Sequence, residues 1–166
     1  MNGNTSSFDQ TASSVIEQLK TINNKNTNFD FGNAQKLINM TAKYLFTRLY
    51  NSDDIDLRNS FSQFHCPMDR IMIGKVTKKF RDYLHSIPNE KEKATLAENL
   101  DIYVDTNGKP CIIGEGDKIS KWSSVSWRDL NQDTKYIYDK YQEMVKILAE
   151  KEGLLPIEFD LKYWEQ

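Results

Sequence analysis

The sequence predicts a mainly α-helical single domain with a small β-hairpin, spanning residues 1–166. Three features carry that expectation. Apolar residues recur at steps of three and four through most of the chain, the spacing of one helix face. The spacing changes to alternation in one stretch, 101–116, around an Asn-Gly pair that favours a hairpin turn. No internal repeat or linker divides the 166 residues, a length that suits one core burying roughly 70% of the unfolded surface.

Residues 1–7 are small and polar and are expected to be disordered. Phe8, Ala12, Val15, Ile16, Leu19 and Ile22 then mark an amphipathic helix. NNKNTNFD (23–30) reads as a turn, because asparagine side chains compete for backbone hydrogen bonds. Gly32 permits a conformation closed to most residues, and a long helix is predicted to follow to about Tyr50. Its apolar stripe is read as Ala34, Leu37, Ile38, Ala42, Leu45 and Leu49, with Met40, Tyr44 and Phe46 to the side.

The polar linker 51–64 has room for a helical turn around Leu57 to Phe61. Pro67 suits the first position of the next helix, which runs through Asp69, Ile71, Met72 and Val76, and 78–87 either continues it or forms a fourth helix that ends before Pro88. A charged surface helix is expected over 89–99, and a hairpin over 101–116 with its turn at Asn107-Gly108. A helix from about Asp133 to Lys151 is stopped by Gly153, and Pro156 opens a short last segment.

The composition, 39% hydrophobic and 28% charged, is that of an ordinary globular protein, and a net charge of −2 argues against an overall basic nucleic-acid binder. Cys66 and Cys111 form no disulfide framework or cysteine-rich zinc site, which points to the cytoplasm. No apolar run of about 18 residues occurs, so no membrane span is expected. Neither a metal nor a cofactor is expected.

Two stretches could carry chemistry. Gly32-Asn33-Ala34-Gln35-Lys36 opens a helix, whose free N–H groups can hold a phosphate, and a desolvated lysine there can form a Schiff base. Pro67-Met68-Asp69 puts a carboxylate at the next helix start, able to activate a nucleophile or stabilise a cation. Both have structural readings: a plain helix start, and an acid favoured by the helix dipole. Arg70, Lys75, Lys78, Lys79 and Arg81 follow as a basic cluster, either a phosphate footprint or a solvated helix face.

Taken together, these stretches resemble the helix-hairpin-helix DNA glycosylase superfamily, and its archaeal 8-oxoguanine class in particular. Phe31-Gly32-Asn33-Ala34-Gln35-Lys36 is similar to the hairpin and catalytic lysine, with Ala34 in place of the second glycine. Pro67-Met68-Asp69 is similar to the segment with the catalytic aspartate. The resemblance implies a DNA repair activity in which Lys36 attacks the sugar C1′, Asp69 assists, and the damaged base is flipped into a pocket. With it, DNA contacts are expected from Gly32, Asn33, Ala34 and Gln35, and the basic cluster could add phosphate contacts by its charge.

Other readings stand beside it. A non-enzymatic interaction or phage-defence-type protein would use Gly32 and Asp69 as structural caps, with its protein partner unknown. Arg58 and His65 match the Arg-x6-His spacing that resembles HEPN ribonucleases, provided one helix spans both. The C-terminal aromatics Trp122, Trp127, Tyr136, Tyr138, Tyr141, Tyr163 and Trp164 could stack on a base or fill a core.

Overall fold

Asp30 starts the second helix. Its carboxylate accepts the Phe31 N–H at 2.7 Å and its carbonyl accepts those of Asn33 and Ala34. The computed structural model describes residues 7–22, 30–49, 60–100, 102–104, 110–113, 119–121, 128, 130–131 and 133–164. The protein is mainly helical, with six α-helices among these residues: α1 (Ser7–Ile22), α2 (Phe31–Leu49), α3 (Arg70–Ser86), α4 (Glu90–Asn99), α5 (Lys135–Lys151) and α6 (Pro156–Trp164). A 3₁₀ turn covers Phe61–Gln63.

Gly32 lies inside the first turn of α2 and is buried, with its N–H bonded to Leu130 O at 2.9 Å. Among the described residues the glycine with positive φ is Gly153. The expected glycine turn is therefore a helix start, and residues 31–35 are helical rather than a hairpin.

The stripe expected to bury α2 is also displaced. Leu37 and Leu45 are 49% and 46% exposed, whereas Gln35, Asn39 and Lys43 are buried with Phe31, Ala34, Ala42 and Phe46. The inward face is turned from the expected one by somewhat less than one residue step of about 100°. Polar side chains face inward because each finds a bonding partner there; a buried polar group without one costs about 1–3 kcal/mol.

Helix α3 begins at Arg70, three residues beyond Pro67, because Asp69 is its N-cap: the carboxylate accepts the Met72 N–H at 2.9 Å. Met72, Ile73, Val76, Phe80 and Leu84 form its buried face. Asn89 caps α4 through the N–H groups of Lys91 and Glu92, and Glu90 and Glu92 add acid to the first turn.

Three short strands follow, Ile102–Val104, Pro110–Ile113 and Ile119–Lys121, paired antiparallel in that order. Tyr103 stands opposite Cys111, and Ile112 opposite Ser120. The Asn107-Gly108 turn lies outside the described residues, as do the 23–29 turn, Leu57, Arg58, Trp122, Trp127 and residues 1–6.

Helix α5 buries Tyr138, Tyr141, Met144, Val145, Leu148 and Ala149. At Gly153, φ is +65°, and the Leu154 N–H returns to Ala149 O, closing the helix in the left-handed manner glycine favours. Pro156 then occupies the first position of α6, and Glu158 reaches back to the Leu155 N–H at 2.8 Å. Helix α6 is short but inserted: Ile157 and Phe159 are fully buried, each stabilising by roughly 1.5–3 kcal/mol. Ile157 joins Ala42, Phe46 and Phe61 in a small second cluster, in which the Phe46 and Phe61 rings meet edge-on at 4.9 Å.

Candidate functional site

Lys36 lies half-buried near the start of α2, and Asp69 is 9% exposed at the start of α3. The two starts adjoin through Gln35, whose Nε2 donates to Gly32 O at 3.1 Å and toward Met68 O at 3.5 Å. One Asp69 oxygen is committed to capping α3. The N–H groups of Phe31, Gly32, Asn33 and Ala34 are likewise bonded within the protein, so the anion cradle expected there is already filled by Asp30 and Leu130.

The basic cluster does not form one footprint. At about 100° per residue, Arg70, Lys78 and Arg81 fall on one arc of α3, with Lys75 and Lys79 beyond it. Lys75 donates to Tyr163 O. Lys79 lies 3.5 Å from Glu152 and 3.8 Å from the centre of the Tyr163 ring. Arg81 pairs with Asp82 at 3.3 Å. Lys75 and Lys79 thus fasten α6.

Segment 64–69 is neither helix nor strand, so His65 lacks the spanning helix that the Arg-x6-His reading requires. Its ring belongs to a different arrangement. Asn39 Nδ2 donates to Gln35 Oε1 at 3.1 Å and to Tyr138 OH at 2.8 Å. The phenol lies 2.7 Å from His65 Nδ1.

This network floors a groove of about 900 Å³ between α1, α2, α5 and segment 62–65. Phe31, Ile38 and Phe64 form its apolar wall, and Lys135 and Lys146 stand among its other residues. Neither Lys36 nor Asp69 lines it.

A second polar cluster is one that sequence reasoning missed. Lys43 Nζ lies 2.6 Å from Asp160 Oδ2, with the residues 7% and 0% exposed. The Cys66 thiol points to Asp160 Oδ1 at 3.8 Å and meets Tyr141 OH at 3.3 Å, and that phenol donates to Pro67 O at 3.2 Å. Gln142 clamps the same segment, accepting the Cys66 N–H at 3.1 Å and donating to the Cys66 carbonyl at 2.7 Å.

Burial first, then the charge of Asp160, holds the Cys66 thiol well above its ordinary range, which makes it a poor nucleophile. Burial, then the neighbouring Cys66, does the same for the Tyr141 phenol. Asp160 is raised by burial, aided by the Asp69 charge and opposed by Lys43. One signal pointed this way in the sequence: Asp160 sits between Phe159 and Leu161.

Among the described residues, no group of three or more metal-ligating side chains occurs and no helix is long and apolar enough to cross a membrane. No protein family, curated protein or solved structure matches this chain.

Proposed function

We propose that the chain is a DNA-binding protein of the base-excision glycosylase kind, acting on a damaged nucleotide through a lysine Schiff base. The observation that supports this reading is the Gln35–Met68 contact, which brings the lysine-bearing helix start against the residue preceding Asp69. Lys36 would attack the sugar C1′, and the Asp69 oxygen not used in capping would stabilise the cationic sugar. Arg70, Lys78 and Arg81 would contact phosphate. A cytoplasmic location accords with this reading.

Borohydride trapping on 8-oxoguanine and abasic duplexes is the test. A covalent protein–DNA adduct is expected, and absence of an adduct on every lesion tried overturns the proposal.

The groove supports a second reading, a non-enzymatic binding protein. Its polar floor of Gln35 and Asn39, 2% and 1% exposed, combined with an apolar wall has the character of a ligand site, and it excludes Lys36 and Asp69. Lesion-independent DNA binding or protein capture without any adduct would favour it.

A further inference from the structure

We propose that the groove between α1, α2 and α5 binds a primary ammonium compound with an apolar body, whose N–H groups meet the Asn39 side-chain oxygen; this rests on the second reading above, in which the groove is a ligand site. What carries it is the direction in which the two buried amides of the floor are locked.

Backbone carbonyls set that direction. Gly32 O and Met68 O lie 3.1 and 3.5 Å from one end of Gln35, so that end is Nε2, and Oε1 is turned toward Asn39. An oxygen there calls for an N–H from Asn39, and the second hydrogen of the same Nδ2 goes to Tyr138 OH. Both Asn39 hydrogens are thus engaged, and Oδ1 is the end left to a ligand. Asn39 is 1% exposed and lines the groove. Among the described residues its Oδ1 accepts no hydrogen bond, yet it is not sealed from solvent, so the little surface Asn39 keeps lies at this oxygen.

The neighbouring donors are engaged too. Gln142 donates to the Cys66 carbonyl and accepts the Cys66 N–H, and the N–H groups of Phe31 to Ala34 are bonded to Asp30 and Leu130. An anion laid on this floor would face an oxygen with no N–H to receive it. An ammonium brings the donors that the floor lacks.

The rim has the matching sign. Asp139, Glu143 and Glu150 line the groove with Lys135 and Lys146, three carboxylates against two ammoniums. Lys135 is held by both oxygens of Asp139 at 2.8 Å, and Lys146 stands about one turn from both Glu143 and Glu150, a spacing at which opposite charges offset each other. One carboxylate is left in excess. The groove wall already receives one ammonium of the chain itself, for Lys135 Nζ stands 5.9 Å from the centre of the Phe31 ring beside Asp139. Aromatic faces attract cations, and Phe31, Ile38 and Phe64 give the rest of the ligand an apolar wall.

The experiment titrates the full chain with three probes that share one apolar body and differ in head group: 2-phenylethylammonium, 2-phenylethanol and phenylacetate. Binding is read from the nuclear magnetic resonance signals of the Asn39 side-chain amide and of the α2 and α5 backbone. The ammonium should move these signals and bind about tenfold more tightly than the alcohol, with the carboxylate weakest. Glu143→Gln combined with Glu150→Gln, both at exposed positions, should weaken the ammonium severalfold and leave the alcohol unchanged. Ile38→Trp, which fills the groove from its wall and spares the Asn39 bonds, should abolish binding. If the alcohol or the carboxylate binds there as tightly as the ammonium, the ammonium assignment is overturned and the groove remains a ligand site. Binding that survives Ile38→Trp, or no shift with any probe at millimolar concentration, overturns both.

Discussion

Helix α6 is fastened by charged groups at two places, and they differ in burial. At Asp160 the pair with Lys43 is almost wholly removed from water. At the other place, Glu152 accepts from Lys162 at 2.8 Å and from Tyr163 OH at 2.6 Å, with Lys79 nearby, and its side chain keeps 25% of its exposure. Bonds of similar length differ in consequence, because desolvation rather than distance sets what is lost when one partner goes. Exposed pairs contribute about 0–1 kcal/mol, whereas removing one member of a buried pair costs about 3–5 kcal/mol.

The largest expected effect comes from breaking the buried pair. Lys43→Met leaves Asp160 without its ammonium and should lower unfolding stability by about 3–5 kcal/mol in urea titration. Adding Asp160→Leu should recover most of that loss, and the double-mutant cycle measures the coupling. If the single and double variants are equally destabilised, the contrast between the two sites fails.

The Asn39–Tyr138–His65 network should fall between. Tyr138→Phe removes the acceptor used by Asn39 and the hydroxyl that meets His65 Nδ1, and should cost about 1–3 kcal/mol. The same variant removes the hydrogen-bond partner of His65 Nδ1, which nitrogen-15 shifts of the ring would register.

The smallest effect is expected at the surface. Glu152→Gln should cost less than about 1 kcal/mol at neutral pH and less still in high salt. Its pH dependence is the sharper test. Burial works to raise the Glu152 carboxyl, but hydrogen bonds from Lys162 and Tyr163 outweigh it, and the carboxyl ends below its usual range. Its stabilisation is therefore present above the unfolded carboxylate value of about 4.3 and lost as pH falls through the lower folded value. Asp160 runs the other way: raised in the fold, it favours folding below the unfolded value and loses that advantage as pH rises through the folded one. Glu152→Gln should flatten only the acid limb of a stability–pH curve.

The same contrast explains how much could be read from sequence. Helix ends were legible where local chemistry fixes them, as at Pro88, Gly153 and Pro156. The capping reading of Asp69 was local too, since the group it bonds is three residues away. The inward face of α2 was not legible, because leucine spacing suggested one side while the partners of Asn39 and Lys43 lie on α5 and α6. Asn39 meets Tyr138 across 99 positions, and no periodicity reports such a pairing. The basic cluster looked uniform in sequence because charge alone does not show that Lys75 and Lys79 turn toward α6.

Gln142 gives the stretch around Cys66 something its irregular backbone lacks. By accepting from the N–H and donating to the C=O of one residue, a single side chain imitates the rung of a sheet ladder. Segment 64–69 is thereby keyed to the rotation of α5 about its own axis. A slip of that helix by one residue would break both bonds at once.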